Sequence, residues 1–145
     1  MKFLAKVILV SSLAVSTVAF AAATDPTVIA RQNLMKMGMG ANTKVLGDMA
    51  GGKTAFDATA AEAARAALAA AAAQIPAKFE PQATDPETKA KPEIWTNWSD
   101  FVAKAKALET AAAALDASSL ATVQAGMTAI GGACTECHKA NRIAN

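Results

Sequence analysis

Residues 94–115, with the sequence IWTNWSDFVAKAKALETAAAAL, decide the fold class of this chain. Their apolar side chains recur at alternating steps of four and three residues: Ile94, Trp98, Phe101, Ala105, Leu108, Ala112 and Leu115. This spacing places all of them on one face of an α-helix of about six turns. A helix with one long apolar face is stable when that face packs against other helices.

The composition of the whole chain favours helices throughout. Of its 145 residues, 39 are alanine, whereas aromatic residues make up only 5% and tyrosine is absent. Alanine is the strongest helix former, and residues that favour β-strands are scarce, so we expect an all-α protein. The net charge of +2 excludes a protein that binds nucleic acid through a broad basic surface.

A second helix is predicted near the start of the chain. It begins at Asp25, an N-cap residue followed by Pro26, and ends at Gly51-Gly52. Its inward face is formed by Val28, Arg31, Met35, Met39, Asn42, Leu46 and Met49. The arginine and the asparagine in this face would not suit a core made only of hydrocarbon side chains.

Two more helices are marked by their caps. One begins at Asp57 or at Thr59, which opens a capping-box sequence, and Pro76 stops it. The last helix begins at Ser118 or Ser119. Its inward face is formed by Leu120, Val123, Met127, Ile130, Cys134 and Cys137.

The connections indicate how the four helices are arranged. Two connections are short, whereas residues 74–92 contain four prolines and few apolar side chains and form a long one. Four amphipathic helices joined in this way predict an antiparallel four-helix bundle. We expect residues 22–145 to form this bundle as a single domain.

The first 21 residues have the layout of a secretory signal peptide. Lys2 and Lys6 precede an apolar run of about twelve residues, and Ala19-Phe20-Ala21 is an A-x-A cleavage site. The run is too short to span a membrane, which needs about 20 residues. Cleavage after residue 21, or as late as residue 23, removes both lysines and leaves a formally neutral protein in the periplasm.

The chemistry concentrates in residues 134–138, Cys-Thr-Glu-Cys-His, which include both cysteines and the only histidine. Cys-x-x-Cys-His is the attachment sequence of a c-type haem. On a helix, residues three apart share a face, so Cys134 and Cys137 can both form thioethers with the vinyl groups of one haem. His138 follows directly as the proximal iron ligand. We therefore expect one haem c, covalently bound.

Three other chemistries use the Cys-x-x-Cys spacing. A zinc site would need two further ligands, and beyond His138 the sequence offers only carboxylates. A thioredoxin-like dithiol requires strands, which an alanine-rich helical chain lacks. A structural disulfide in an oxidising compartment is the third alternative, and it would make this a haem-free helical protein.

A sixth iron ligand would have to come from upstream, because only seven residues follow His138. Met127 lies on the same helix as the motif, about 16 Å along the axis, and does not reach the opposite side of the ring. The first helix offers Met35, Met37, Met39 and Met49. Of these, Met35 and Met39 point inward, and the usual role of such a methionine is to fill space in a core.

Nearly the whole processed chain resembles the class II c-type cytochromes, the cytochrome c prime family. The haem motif close to the C-terminus is the specific element of the resemblance. Weaker matching elements are Arg31-Gln32, Met35, the Pro-x-x-Trp sequence from Pro92 to Trp95, and Arg142. The family usually has an aromatic residue before that arginine, whereas this chain has Asn141.

The resemblance implies a role for each matching residue and a haem bound inside the bundle near its C-terminal helix. Met35 takes the distal position and ligates the iron together with the motif histidine. Arg31 and Gln32 contact a haem propionate, which gives the inward arginine a partner. Trp95 belongs to the cofactor-binding residues, and Arg142 lies beside the proximal histidine and tunes it.

The family divides according to the distal side of its haem. One branch has a low-spin iron with a methionine ligand and carries electrons, whereas the other is five-coordinate and binds small gases. Residues 33–36, Asn-Leu-Met-Lys, resemble the low-spin branch. We therefore expect a periplasmic monohaem electron carrier. The alternative is a high-spin cytochrome that binds nitric oxide or carbon monoxide.

Neither function is enzymatic. The expected partners are redox proteins, with no nucleic acid and no membrane span after processing. Members of the family occur as monomers and as dimers, so either a monomer or a homodimer is expected.

Export of the full chain is expected to yield a protein that begins at Ala22, or as late as Thr24, because the A-x-A site offers small residues to the signal peptidase. Intact mass and N-terminal sequencing of the periplasmic protein check this. Ala21→Leu is expected to block or move the cleavage. A periplasmic product of the unaltered chain that retains residues 1–21 would contradict the prediction.

Overall fold

The structure, a computed structural model, describes residues 22–144, so the predicted signal peptide and Asn145 lie outside the described residues. The helices are α1 (Pro26–Asn33), a π-helical segment (Leu34–Gly40), α2 (Ala41–Ala50), α3 (Ala58–Ala73), α4 (Ile75–Phe79), α5 (Glu93–Thr96), α6 (Trp98–Ala114) and α7 (Leu120–Asn141). α1, the π segment and α2 follow one another without a break and are called the first rod below.

Four long elements make the bundle: the first rod, α3, α6 and α7. α2, the last part of the first rod, packs against α3. Next, α3 packs against α6, α6 packs against α7, and α7 packs against α2, which closes the bundle. Short connections at residues 51–57 and 115–119 make the joined helices run antiparallel. The prediction of an all-α four-helix bundle is confirmed.

The first rod begins and ends where its sequence predicts. The carboxylate of Asp25 accepts hydrogen bonds from two backbone N–H groups of the first turn, and Pro26 occupies the first helical position. At the far end Gly52 has a φ of +71°, a conformation that favours glycine. Five of the predicted inward side chains are buried: Val28, Arg31, Met39, Leu46 and Met49.

The middle of the first rod departs from the α-helix expected there. In the π segment the backbone hydrogen bonds span five residues rather than four. Gly38 and Gly40 weaken the α-helical propensity of this stretch, and the side-chain amide of Asn42 donates to the Gly38 carbonyl at 2.7 Å. Met35 and Asn42 are half-buried rather than buried.

The second long helix begins at one of its two predicted caps and differs from prediction at its other end. Asp57 is the N-cap of α3, and its carboxylate accepts a hydrogen bond from the N–H of Ala60 at 2.8 Å, whereas Thr59 lies inside the helix. The prediction that Pro76 stops the helix is wrong: α3 ends earlier, and Pro76 lies in the first turn of α4. A proline is well tolerated there because the first turn has no partner for that N–H.

The apolar face predicted over residues 94–115 is confirmed. It is buried at Ile94, Phe101, Ala105, Leu108, Ala112 and Leu115. Trp98 is half-buried, and its ring stacks on Phe101 with centroids 5.4 Å apart. Asn97 separates α5 from α6, so this face belongs to two helices rather than one.

The last helix begins at Ser119, which forms a capping box with Thr122. Val123 and Ile130 are buried as predicted, but Leu120 is 37% exposed because it lies in the first turn, beyond the core. Within residues 22–144, no helix has both the length and the apolar character needed to cross a bilayer.

The chain between α4 and α5, residues 81–92, is called the strap because hydrogen bonds join it to the start of the first rod and to the C-terminal residues. At its start, the buried carboxylate of Asp85 accepts bonds from the N–H groups of Thr24, Asp25 and Glu87 at 2.8–2.9 Å. These bonds lower the pKa of Asp85 from its ordinary 3.8 to about 2. Asp85 therefore anchors the strap to the start of the first rod.

The other end of the strap pairs with the C-terminus. The N–H of Lys91 donates to the Asn141 carbonyl at 2.9 Å, and the N–H of Ile143 donates to the Lys89 carbonyl at 2.8 Å. The Lys91 ammonium group donates to the carbonyls of the last turn of α7. This contact satisfies carbonyls that a helix end leaves free.

Replacing Asp85 with Asn is expected to destabilise the protein at neutral pH, because the ionised carboxylate is the better acceptor for three N–H donors. Folding lowers the pKa of Asp85, so its contribution is complete above pH 3.8 and is lost as the pH falls toward about 2. Urea unfolding at a series of pH values checks this. The difference between the free energies of unfolding of the parent and the variant should become smaller over that pH range.

Glu93→Gln, at an exposed carboxylate, is the matched control and is expected to unfold with the parent. The prediction would be contradicted if the free energy of unfolding of Asp85→Asn stayed below that of the parent by the same amount from neutral pH to pH 2.

Candidate functional site

A cavity of about 340 Å³ lies between the first rod, the strap and the last turns of α7. Its apolar wall is formed by Val28, Met35, Phe79, Ala90, Ile94 and Phe101. Its polar groups converge from three directions: Arg31 and Gln32 from the first rod, Thr88 and Lys89 from the strap, and His138, Asn141 and Arg142 from the C-terminus. An apolar cavity with a few convergent polar groups is typical of a binding site for an organic ligand.

The structure brings six of the eight predicted site residues to this cavity: Arg31, Gln32, Met35, Cys137, His138 and Arg142. The other two lie beside it. Cys134 is half-buried and packs against the core one turn before Cys137, and Trp95 packs against the guanidinium of Arg31. Residues from both ends of the chain therefore meet at one place.

The last turns of α7 present the Cys-x-x-Cys-His residues. Cys134 and Cys137 are free thiols, and burial raises the pKa of both. His138 keeps part of its surface exposed, and the partial burial of its ring, helped by the charge of Arg142, lowers the pKa of the imidazole. A neutral imidazole is the form that ligates a metal. The motif thus combines two neighbouring sulfur atoms with a ligand at the edge of the cavity.

Arg31 is a buried cation in the cavity wall, with only 3% of its surface exposed. Its Nε donates to the Lys78 carbonyl at 3.0 Å, and its Nη2 donates to the Pro81 carbonyl. The guanidinium lies between the rings of Phe79 and Trp95, at 5.1 and 5.2 Å from their centroids. Trp95 is held in place because its indole N–H donates to the Phe79 carbonyl at 2.8 Å.

One nitrogen of this guanidinium, Nη1, is buried and has no hydrogen-bond partner. Burial lowers the pKa of Arg31, and the charge of Asp25 opposes that effect. A buried cation with a free donor is costly unless an anion completes it. Because Arg31 lines the cavity, a ligand that carries a carboxylate, as a haem carries its propionates, fits this wall.

The Cytochrome C' family pattern matches residues 27–142, a span that contains the cavity and the motif. The chain belongs to the cytochrome c′ family. It is similar to cytochrome c-556 of Agrobacterium tumefaciens (strain apple 185), with 40% identity over 119 residues that cover 79% of this chain and 92% of that protein.

Solved structures agree with this assignment. An NMR-validated structure of oxidized R. palustris cytochrome c556 matches with a TM-score of 0.74 and 28% identity, over 83% of this chain and 98% of that chain. The nitric oxide complex of a mutant of cytochrome c prime from Alcaligenes xylosoxidans matches with a TM-score of 0.72 and 26% identity, over 81% and 94% of the two chains.

Family membership makes this protein a class II c-type cytochrome, and the family implies haem c. Members are electron carriers or gas binders rather than enzymes, which agrees with the sequence prediction. Among residues 22–144, no group of three or more His, Cys, Asp or Glu side chains is placed to hold a metal ion. The free cysteines and the orphaned Arg31 donor fit a haem in this cavity.

Asn141 occupies the position where the family usually has an aromatic residue. Its side chain is 8% exposed, and its amide donates to the Cys137 carbonyl at 3.0 Å. The same amide nitrogen lies 3.7 Å from the Cys137 sulfur. The Asn141 amide thus adds a side-chain hydrogen bond to the last turns of α7, beside the motif.

Sequence reasoning missed the contribution of α4 and the strap to the cavity. Phe79, Thr88, Lys89 and Ala90 line it, and no periodic pattern marks them because they lie in a short helix and in irregular chain. Gln32 makes a contact that the sequence did not predict: its amide donates to the Glu87 carbonyl of the strap at 3.1 Å. The cluster of prolines in this region was the only available signal, and it indicates a loop without indicating where the loop packs.

Arg31→Met is expected to lower the free energy of unfolding of the haem-loaded cytochrome by about 2 kcal/mol or more, since the Lys78 and Pro81 carbonyls lose a charged donor. Urea unfolding followed by circular dichroism measures the change. Lys106→Met is the matched control, because Lys106, with 65% of its side chain exposed, pairs with Glu109 on the surface and such pairs contribute little. Equal losses in the two variants would contradict the assignment of Arg31 to the buried site.

Proposed function

We propose that this protein is a periplasmic single-electron carrier whose low-spin haem c is ligated by His138 and Met35. One observation carries the proposal: Met35, from the first rod, and His138, from α7, line the same cavity. An imidazole and a thioether on one haem are the ligand set of electron-carrying c-type cytochromes.

Three side chains in or beside the cavity hold the cofactor. Cys134 and Cys137 attach it by thioether bonds, which keep it in place in both oxidation states. Arg31 neutralises a propionate, which in turn gives the Nη1 group its missing partner. When bound, the haem supplies an iron that alternates between the ferric and ferrous states.

Met35 shapes the electron transfer through its position and its chemistry. Its side chain is half-buried and packs against the hydrophobic core, so the surrounding helices hold it in both oxidation states. A thioether ligand favours ferrous iron and raises the reduction potential. A ligand that stays in place also avoids a rearrangement with each electron.

The predicted processing and location belong to the same proposal. Class II cytochromes are typically exported to the periplasm, and residues 1–21 have the signal-peptide layout that export requires. Residues 22–145 then form the monohaem bundle. The exposed side chains of Lys139 and Arg142, next to His138, offer a positive rim to an acidic redox partner. The protein acts as a monomer or a homodimer.

A second function is favoured by one comparison: a mutant of the similar cytochrome c prime from Alcaligenes xylosoxidans has been solved as its nitric oxide complex. In that case Met35 would pack over the iron without ligating it, and a small gas would bind at the free position. The visible spectrum distinguishes the two functions, since a methionine ligand gives a low-spin spectrum with a far-red sulfur–iron band.

Met35→Ala is expected to convert a low-spin spectrum into a high-spin one that binds carbon monoxide, because it removes the sixth ligand. Spectra of the oxidised, reduced and carbon-monoxide-treated forms measure this. Met37→Ala is the matched control, since the Met37 side chain is 62% exposed and should leave the spectrum unchanged.

A parent protein that is high-spin and binds carbon monoxide readily would support the gas-binding function instead. A low-spin spectrum that survives Met35→Ala would show that another residue is the ligand, and Met39→Ala would then test the other inward methionine.

A further inference from the structure

Met35 and Met39 lie four residues apart but have different surroundings. Met35 lines the cavity, whereas Met39 is 6% exposed and is packed in the core. On a regular α-helix, residues at this spacing are neighbours on one face, and the sequence pattern assigns both to the inward side. They lie about 6 Å apart along the helix axis, and the direction of each side chain also depends on the local backbone.

The π segment contains both methionines. Its hydrogen bonds span five residues, as in the bond from the N–H of Ala41 to the Lys36 carbonyl. A π turn holds more residues than an α turn, so each residue advances by a smaller angle around the helix axis. Met39 is therefore rotated relative to the place it would have above Met35 in an α-helix.

Gly38 lies where the π segment meets α3. A Cβ atom at this position would lie 2.9 Å from the Cβ of Ala71 and 3.2 Å from Cδ1 of Leu34. The Ala71 methyl group is bonded directly to the α3 backbone and is buried, so it cannot rotate out of the way. Only glycine lets the two helices approach this closely.

The Gly38 carbonyl is also satisfied from outside the backbone. The Asn42 side-chain amide donates to it at 2.7 Å, which supports the wider turn with a hydrogen bond that an α-helix would not need. Gly38 is therefore constrained from two sides: Ala71 leaves no room for a side chain, and the Asn42 amide bonds to its carbonyl.

We propose that Gly38 is a positioning residue that, through its contact with Ala71, holds the π turn that directs Met35 rather than Met39 into the cavity. The inference rests on the proposed function only where it treats the Met35 thioether as an iron ligand. The directions of the two side chains are a separate matter and can be tested separately.

Carbon-13 methyl labelling of methionine in the haem-loaded protein identifies which thioether faces the haem. Met35→Leu and Met39→Leu assign the signals by their loss. We expect the methyl signal most shifted by the haem to belong to Met35. A most-shifted signal from Met39 would overturn the inference. A shifted Met35 methyl in a protein with a high-spin spectrum would refute the His/Met ligation and still support the positioning.

Gly38→Ala tests the contact. We expect the Met35 methyl to lose most of its haem-induced shift and the far-red sulfur–iron band to weaken by more than half. Gly47→Ala is the matched control, because it adds a methyl group to the same rod with ordinary contact, 3.8 Å from the Met127 methyl. The control should keep the parent spectrum.

Ala71→Gly in the Gly38→Ala background separates positioning from stability. Removing the opposing methyl relieves the contact, so we expect the Met35 shift and the far-red band to return. We expect this even though a glycine inside α3 is less favourable for the helix than an alanine. A double variant that folds and still lacks both signals would overturn the inference, as would a Gly38→Ala protein that is indistinguishable from the parent.

Discussion

Burial of a single cation organises the cavity end of this cytochrome. Arg31 belongs to α1, yet its guanidinium bonds to a carbonyl of α4 and a carbonyl of the strap and lies against Trp95 of α5. A charge removed from water is stable only when its donors are used, so these segments have to meet around it. One of its nitrogens, Nη1, is left without a partner, and Arg31 itself lines the cavity. Arg31 therefore joins the segments at this end of the protein and would also be stabilised by an anionic ligand.

The two ends of the bundle solve the packing problem differently. Along α3, small buried side chains such as Ala61, Ala64 and Ala72 let the helices approach closely, and the chain needs few bulky residues there. Toward the cavity, Phe79 packs on Phe101 with ring centroids 5.2 Å apart, and aromatic rings replace alanine as the filling. A small domain with few large side chains has little core of its own. A haem held in this cavity would complete the core as well as provide the function.

Most of the fold was predictable because it depends on local patterns. The caps at Asp25 and Ser119 and the apolar face of residues 94–115 are properties of a few neighbouring residues, and the structure shows them as expected. The errors lie where a local signal has two meanings. Pro76 is a helix breaker in one context and a first-turn residue in another, and the neighbouring chain determines which applies. Gly38 and Gly40 did not by themselves predict a π segment, and the close approach of Gly38 to Ala71 of α3 is not visible in the sequence.

The sequence by itself determined the helical class, the likeness to class II cytochromes and the residues that chemistry requires, because these follow from composition, periodicity and a motif five residues long. Only the tertiary structure decided how the site is enclosed. The pairing of the strap with the C-terminal residues, the aromatic pair around Arg31 and the cavity shared by Met35 and His138 all arise from contacts between segments distant in sequence. Such contacts depend on which helices approach one another and how closely. The distance between two packed helices is set by the volumes of the side chains on both of them. A single stretch of sequence contains only one of the two helices.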